Sequence, residues 1–318
     1  MKKFLLKVLA FALSVLLLAA GLDRLICRGL LRMEDYRFQD YRAMLDGGMD
    51  NDIVIMGNSR GKSHFDTSVI DSMSHKNSFN IGVGGYPINV HLLKYQLYVE
   101  HNRKPGIIIQ NIDHMTLGVC DDVRHQHESE QFFPLVYDKE MRKQLRGAGY
   151  GFLELNIPLY RFLGYQQIIK NGLLEALHLK HYEPRPSFKG FLPENGRWNG
   201  SELQRMEPTP ISLSEEAKAM LEGFLARCDA DSVQVVLVNS PLYAEAQEKL
   251  IGFDDARAYF KGVAERFGCI YLDYTDTPIC RDTNNFCVSV HLNSRAARQF
   301  SEMLMDDLIS SNKVFICN

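Results

Sequence analysis

Ser59 stands in the stretch Ile53-Val-Ile-Met-Gly-Asn-Ser-Arg-Gly61, where four apolar residues run into a glycine and two small polar residues. That pattern reads as a buried strand ending in a tight turn, with the serine just past the strand's C-terminal edge. A serine there is a candidate nucleophile if a base can take its proton. His291, in Val290-His-Leu-Asn293 before the last apolar-periodic segment, is the candidate base. Acyl transfer also needs hydrogen-bond donors for an oxyanion. Gly85 closes the run Gly82-Val-Gly-Gly85 and has no Cβ, so its amide can approach a substrate oxygen closely. The Ser59 amide is a second donor and the Asn111 side chain a candidate third. The segment Gln110-Asn-Ile-Asp113 leaves a shift of two that decides whether Asn111 or Asp113 faces the site. An ionised Asp113 there would repel an oxyanion.

The elements that must position these residues follow a regular rhythm. Strands are expected over Asp52–Met56, Ser78–Asn80, Gly106–Ile112, Val233–Val238 and Cys269–Leu272. Helices are expected over Thr67–Met73, Pro87–His101, Ser214–Cys228, Asp254–Phe267 and Asn293–Ile309. Alternation of this kind implies an α/β fold with a parallel five-stranded sheet covered on both faces. In such a sheet the loops after the strands share one edge, where ligands bind. Residues more than 200 positions apart along the chain can therefore meet. The G-x-S-x-G match also raises the nucleophile elbow of α/β-hydrolases, which follows several strands. Here only the first 50 residues precede the first strand, which sets that fold aside.

The chain has 318 residues, 46% apolar and 24% charged, with a net charge of −3. Those values are globular, and neither a basic run nor aromatic-basic interleaving argues for nucleic acid. Residues 1–22 differ. Two lysines precede an apolar run over residues 4–22, broken by Lys7, which can snorkel. This reads as a transmembrane signal anchor lying in a lipid bilayer, or as a signal peptide cleaved near Ala19-Ala20-Gly21. Arg24, Arg28 and Arg32 follow the segment, and the short lysine-bearing tail favours the N-terminus inside and the bulk of the chain outside.

Residues 23–50 read as a helical stalk, 51–113 as the first part of the α/β domain and 213–318 as its second part. Between them, 114–212 lacks a comparable strand and reads as an inserted lid or subdomain, with helices near Asp138–Leu145 and Leu159–Leu177. Trp198, the one tryptophan, is a candidate for sugar stacking or for packing in that insertion. Arg60 reads as a surface arginine, with an anionic substrate as the alternative. His64, close to Ser59, reads with His75 and His114 as an ordinary loop residue. Seven cysteines include no C-x-x-C, so no zinc site is signalled. Cys280 and Cys287 bracket a loop and are candidates for a disulfide or for free thiols, while Cys27, Cys120, Cys228, Cys269 and Cys317 suggest no pairing.

Gly57-Asn-Ser59, Asn80-Ile-Gly-Val-Gly-Gly85 and Val290-His-Leu-Asn293 together resemble the sequence blocks of the SGNH (GDSL-type) hydrolase superfamily, with Asn58 where that family usually has Asp. The resemblance covers residues 52–113 and 214–310 and extends to membrane-anchored members associated with cell-envelope polysaccharides. It implies a flavodoxin-like three-layer sandwich and ester hydrolysis or O-acyl transfer, with Ser59 as nucleophile, His291 as base and Gly85 as oxyanion glycine. The partner implied is an acylated or acyl-accepting glycan; no metal or other cofactor is implied. The family's acid lies three residues before the histidine, where this chain has Val288. Asp273, Asp276 and Asp282 are candidate replacements, as is a backbone carbonyl. An acid that only orients can be lost with activity lowered but retained. The alternative is a catalytically impaired relative that binds a glycan or a membrane-protein partner through the same cleft.

Overall fold

The structure is a computed structural model and describes residues 1–120, 122–179 and 182–311. It divides into two compact units. Unit two comprises residues 44–120 and 187–318 as far as they are described, and unit one residues 1–43 and 121–186.

Unit two is built on five strands: β1 (Ile53–Met56), β2 (Ser78–Asn80), β3 (Ile107–Asn111), β4 (Gln234–Asn239) and β5 (Ile270–Asp273). All neighbours pair in parallel, in the order β2-β1-β3-β4-β5. This is the flavodoxin-like strand order, whose switch point falls between β1 and β3. The three inner strands are wholly apolar at their centres because both sheet faces are covered. Ile53, Ile55, Ile107, Ile109, Val236 and Val238 share one core with Phe300, Leu304 and Leu308 of α11 (Ser294–Ser310) and Ile70 of α4 (Thr67–Ser74). The opposite register carries Gln110, which reaches His91 of α5 (Ile88–His101) at 3.4 Å. The expected strands agree with those observed to within a residue at each end, a margin normal for terminal residues.

Two local features differ from expectation. Ser59 does not lie in a plain turn but is the first residue of a one-and-a-half-turn helix, α3 (Ser59–His64). His291, expected between the fifth strand and the last helix, lies in an antiparallel hairpin that the expected strands do not include, β6 (Phe286–Val288) and β7 (His291–Leu292), with an irregularity between Phe286 and Val288. Residues 187–212, expected inside the insertion, belong to unit two. Backbone hydrogen bonds tie them there: Asn80 N to Lys189 O, Leu192 N to Lys62 O and Trp198 N to Phe286 O.

In unit one, α1 (Lys2–Arg32) is long and apolar enough to span a membrane. It runs unbroken through Ala19-Ala20-Gly21 and becomes buried at Asp23, Ile26, Cys27 and Leu30. Residues 23–43 lie within the stretch 23–50 expected to be a helical stalk. With α2 (Tyr36–Asp46) beginning after Asp35, they pack with residues 121–186. The segment 159–177 is two elements, a 3₁₀ turn at Tyr160–Phe162 and α8 (Gln166–Ala176), parted at Gly164, whose φ of 90° ends a helix. The helices α6 (Lys139–Gly147) and α7 (Phe152–Asn156) complete the unit. A Cβ on Gly29 would lie 1.8 Å from Gly172 O, so α1 and α8 cross in backbone contact.

Candidate active site

Asn58 explains the local fold around Ser59. Its side chain accepts from the Arg60 amide at 3.0 Å and so caps α3. Gly57 precedes it at φ 146°, and a Cβ there would lie 2.8 Å from Asn111 Cβ. Only glycine suits this crossing of β1's end over β3's end. The glycine run after β2 is laced to the same turn. Val83 N donates to Gly57 O at 2.9 Å, and Asn80 bridges Gly61 O and Gly82 N at 2.8 Å each. Buried Lys62 and Lys94 both direct Nζ at Gly82 O, at 3.3 and 3.2 Å.

On this support, Ser59 Oγ lies 2.8 Å from His291 Nε2, within reach for proton transfer. Burial first, and the buried Arg60 charge second, push His291 down to about 4. The ring is therefore neutral near pH 7, with Nε2 free to accept from Ser59. Gly84 passes over the serine: a Cβ built on it would sit 3.8 Å from Ser59 Cβ. Gly85 is exposed at φ 77°, with open space beside it. Neither the Ser59 nor the Gly85 amide has an acceptor among the described residues. Asn111 is fully buried beneath Gly57 and Gly61, and both ends of its carboxamide lack a hydrogen-bond partner.

Asp113 takes a different place. Its carboxylate accepts from Asn58 Nδ2 at 2.6 Å, Met115 N at 2.9 Å and Thr116 N and Oγ1 at 3.2 Å. Arg60 Nη1 is 3.6 Å away. Burial would raise its pKa, but Arg60, His114 and these donors outweigh burial and hold it below the usual carboxylate range. Asn at position 58 is the amide donor that this carboxylate needs; a second carboxylate there would repel it.

Arg60 is not a surface residue. It is 1% exposed, and Nη2 donates to Ser240 O and Pro241 O, while Nε and Nη1 have no hydrogen-bond partner. Nor is His64 an ordinary loop residue. It is fully buried and accepts from Leu292 N on Nε2 at 3.0 Å, which leaves Nδ1 to donate to Ser240 Oγ at 3.0 Å. It thus ties α3, which carries Ser59, to β7, which carries His291, and its ring meets that of His291 edge to face at 6.3 Å. Burial, followed by Arg60 and His291, holds its pKa well below the ordinary value.

None of the three expected acids hydrogen-bonds to His291. Asp273 is occupied by Arg257, Tyr271 and Thr275, Asp276 pairs with Arg281, and Asp282 caps the 3₁₀ turn Thr283–Asn285. The carboxylate that does reach the hairpin is Glu202, whose Oε1 accepts from Ser289 N at 2.6 Å and whose charge, after that of Asp113, draws His291 upward. Glu202 precedes a 3₁₀ turn in the loop-rich segment, and no spacing rule in the sequence points to it. Trp198 packs edge-on against Tyr243, 4.8 Å between centroids, and against Phe286, so it supports the hairpin. His75 caps the end of α4 in the left-handed region, and His114 is mostly buried beside Asp113. Cys280 and Cys287 are unpaired, and Cys317 lies outside the described residues.

No known protein-family profile and no curated protein matches the sequence. Among solved structures, the chain is similar to the crystal structure of a proposed acylhydrolase from Bacteroides fragilis NCTC 9343. Identity is 12% and the TM-score 0.38, over 86% of this chain and 95% of that one, a likeness too distant to transfer a function.

Proposed function

We propose that this chain is a serine-dependent acyl-ester hydrolase or O-acyltransferase of the SGNH type, acting on a cell-envelope glycan. The observation that carries the reading is the 2.8 Å pairing of Ser59 Oγ with His291 Nε2, at one sheet edge with two unpartnered amides alongside. Ser59 attacks the acyl carbonyl and passes its proton to Nε2. The amides of Ser59 and Gly85 receive the tetrahedral oxyanion, and the Asn111 carboxamide, buried beneath Gly57 and Gly61, underlies the turn that presents Ser59. His291 returns the proton to the departing alkoxide, leaving an acyl-serine that water or a glycan hydroxyl then resolves. Glu202 and His64 act as positioning residues that fix the hairpin bearing the base. In this reading α1 anchors the protein in the bacterial inner membrane, in a single pass with the main domain periplasmic.

A second reading, a non-catalytic glycan- or partner-binding relative, is favoured by one observation: no described residue hydrogen-bonds to His291 Nδ1. A fluorophosphonate probe and p-nitrophenyl acetate applied to the full chain separate the two. The catalytic reading expects labelling at Ser59 and turnover lost in Ser59→Ala. Absence of labelling together with equal turnover by both proteins overturns it.

A further inference from the structure

The surface of unit one next to α1 has a composition that its own core does not explain. Phe152 and Leu163 are 71% and 69% exposed, and Leu153 and Ile157 are 45% and 39% exposed. These residues lie on and just after α7. Their height along α1 is fixed by buried contacts. Asp23, the first charged residue after the apolar run, is fully buried and accepts from Arg161 Nη1 at 3.0 Å and from Leu159 N and Tyr137 Oη at 2.6 Å each. Ala20, inside the apolar run, lines a hollow of about 190 Å³ with Arg142, Leu155 and Ile157. A hydrocarbon core of about 30 Å requires about 20 apolar residues, so a span over residues 4–22 ends at this level.

Charge fits as well. The neighbouring helix α6 is joined to α7 by Arg142 Nη2 donating to Asn156 Oδ1 at 2.6 Å. It exposes Lys139, Lys143 and Arg146, and Arg24 is exposed on α1. The acidic groups on these elements are buried Asp23, Asp138 capping α6, Glu140 at 3.9 Å from Lys143, and Glu154, which is bound to Arg124. Exposed apolar side chains flanked by cations beside a membrane-crossing helix match the chemistry of an interfacial lipid contact.

We propose that unit one docks on the bilayer from which α1 emerges. Phe152, Leu153, Ile157 and Leu163 enter the headgroup–acyl boundary, and the α6 cations face anionic headgroups. This rests on the reading of α1 as a membrane anchor, and the surface is continuous with that anchor.

The test uses the full chain in vesicles of phosphatidylcholine and phosphatidylglycerol, brominated in one set near the headgroup end of the acyl chains and, to read Leu13, in a second set near the methyl end. Single tryptophans replace Phe152, Leu163, Leu13 or Leu177, and the Trp198 signal of the unsubstituted protein is subtracted. Leu177, 59% exposed, follows α8 beyond its crossing with Gly29, about 10 Å further along α1 at 1.5 Å per residue. Phe152→Trp and Leu163→Trp are expected to lose about half of their emission, as side chains inserted about 5–10 Å would. Leu177→Trp is expected to lose little. If Leu13→Trp is unquenched, the anchor reading falls and the docking proposal with it. If Leu13→Trp is quenched but Phe152→Trp and Leu163→Trp are not, only the docking proposal is overturned. Equal quenching of Leu177→Trp overturns the assignment to the α7 face.

Discussion

Each unit of this chain buries an Arg–Asp pair among its described residues, and the two pairs are satisfied very differently. In unit one, Asp23 receives Arg161, Tyr137 and Leu159 N, while Arg161 spends its remaining donors on Phe133 O and Cys27 Sγ. In unit two, Asp113 is saturated but Arg60 is not: Nε and Nη1 make no hydrogen bond, and Asp113 is 3.6 Å away. A saturated pair is a structural clasp, whose parts are costly to remove singly. An under-satisfied guanidinium projects its charge onto its neighbours. Here the neighbours include His64 and His291, and both are driven toward neutrality by burial with Arg60 next in effect. Charge that holds a fold is thus distinct from charge that adds to burial in keeping a site's histidines neutral.

The strongest way to break this contrast is at Ser59. Ser59→Ala is expected to lower ester turnover about 10³-fold or more, with unfolding midpoints unchanged. A stability loss comparable to that of a clasp mutation would assign Ser59 to structure instead. Asp23→Ala should do the reverse, destabilising unit one by about 3–5 kcal/mol in chemical denaturation.

Acid sensitivity comes next. His291 and His91 are held down to about 4, and His64 well below its ordinary value. Because these groups bind protons less readily when folded, their contribution is fully present above the unfolded value near 6.5. It falls as the pH drops from there toward 4. Denaturation midpoints measured across that window should decline, by a few kcal/mol in total. In Arg60→Met the acid limb of kcat/KM, expected near the His291 value of about 4, should move upward by about one pH unit as the guanidinium is removed. An unmoved limb would mean that burial alone sets the histidine.

Glu202→Gln, the mildest change, should lower kcat about tenfold with KM retained and shift the acid limb downward, since the carboxylate favours the imidazolium. A loss confined to thermal stability would make Glu202 a hairpin brace only.

The sheet was legible because β1, β3 and β4 are apolar runs of strand length, rich in Ile and Val and buried on both faces. Ser59, Gly85 and His291 were legible because each sits at a loop that a parallel sheet directs to one edge. What was not legible depends on direction. Sequence names Arg60 and His64 but does not say that α3 turns them inward, where a charge and a neutral imidazole act on the site from beneath. Glu202 reaches the hairpin across 87 positions of irregular chain, so no periodicity encodes it. Sequence reads residues 23–50 as a helical stalk, but nothing in it says that buried Asp23 binds Arg161 across 138 positions.

A histidine whose conjugate acid ionises near 4 is a feeble base and a vigorous acid. If Ser59 attacks an ester, the imidazolium formed is disfavoured by burial and by the nearby Arg60 charge and gives up its proton readily. The chemistry this favours is departure of a reluctant alkoxide, such as a sugar hydroxyl, over deprotonation of the serine. The first proton transfer would then be the slower one, and substrates with better leaving groups would gain little in rate.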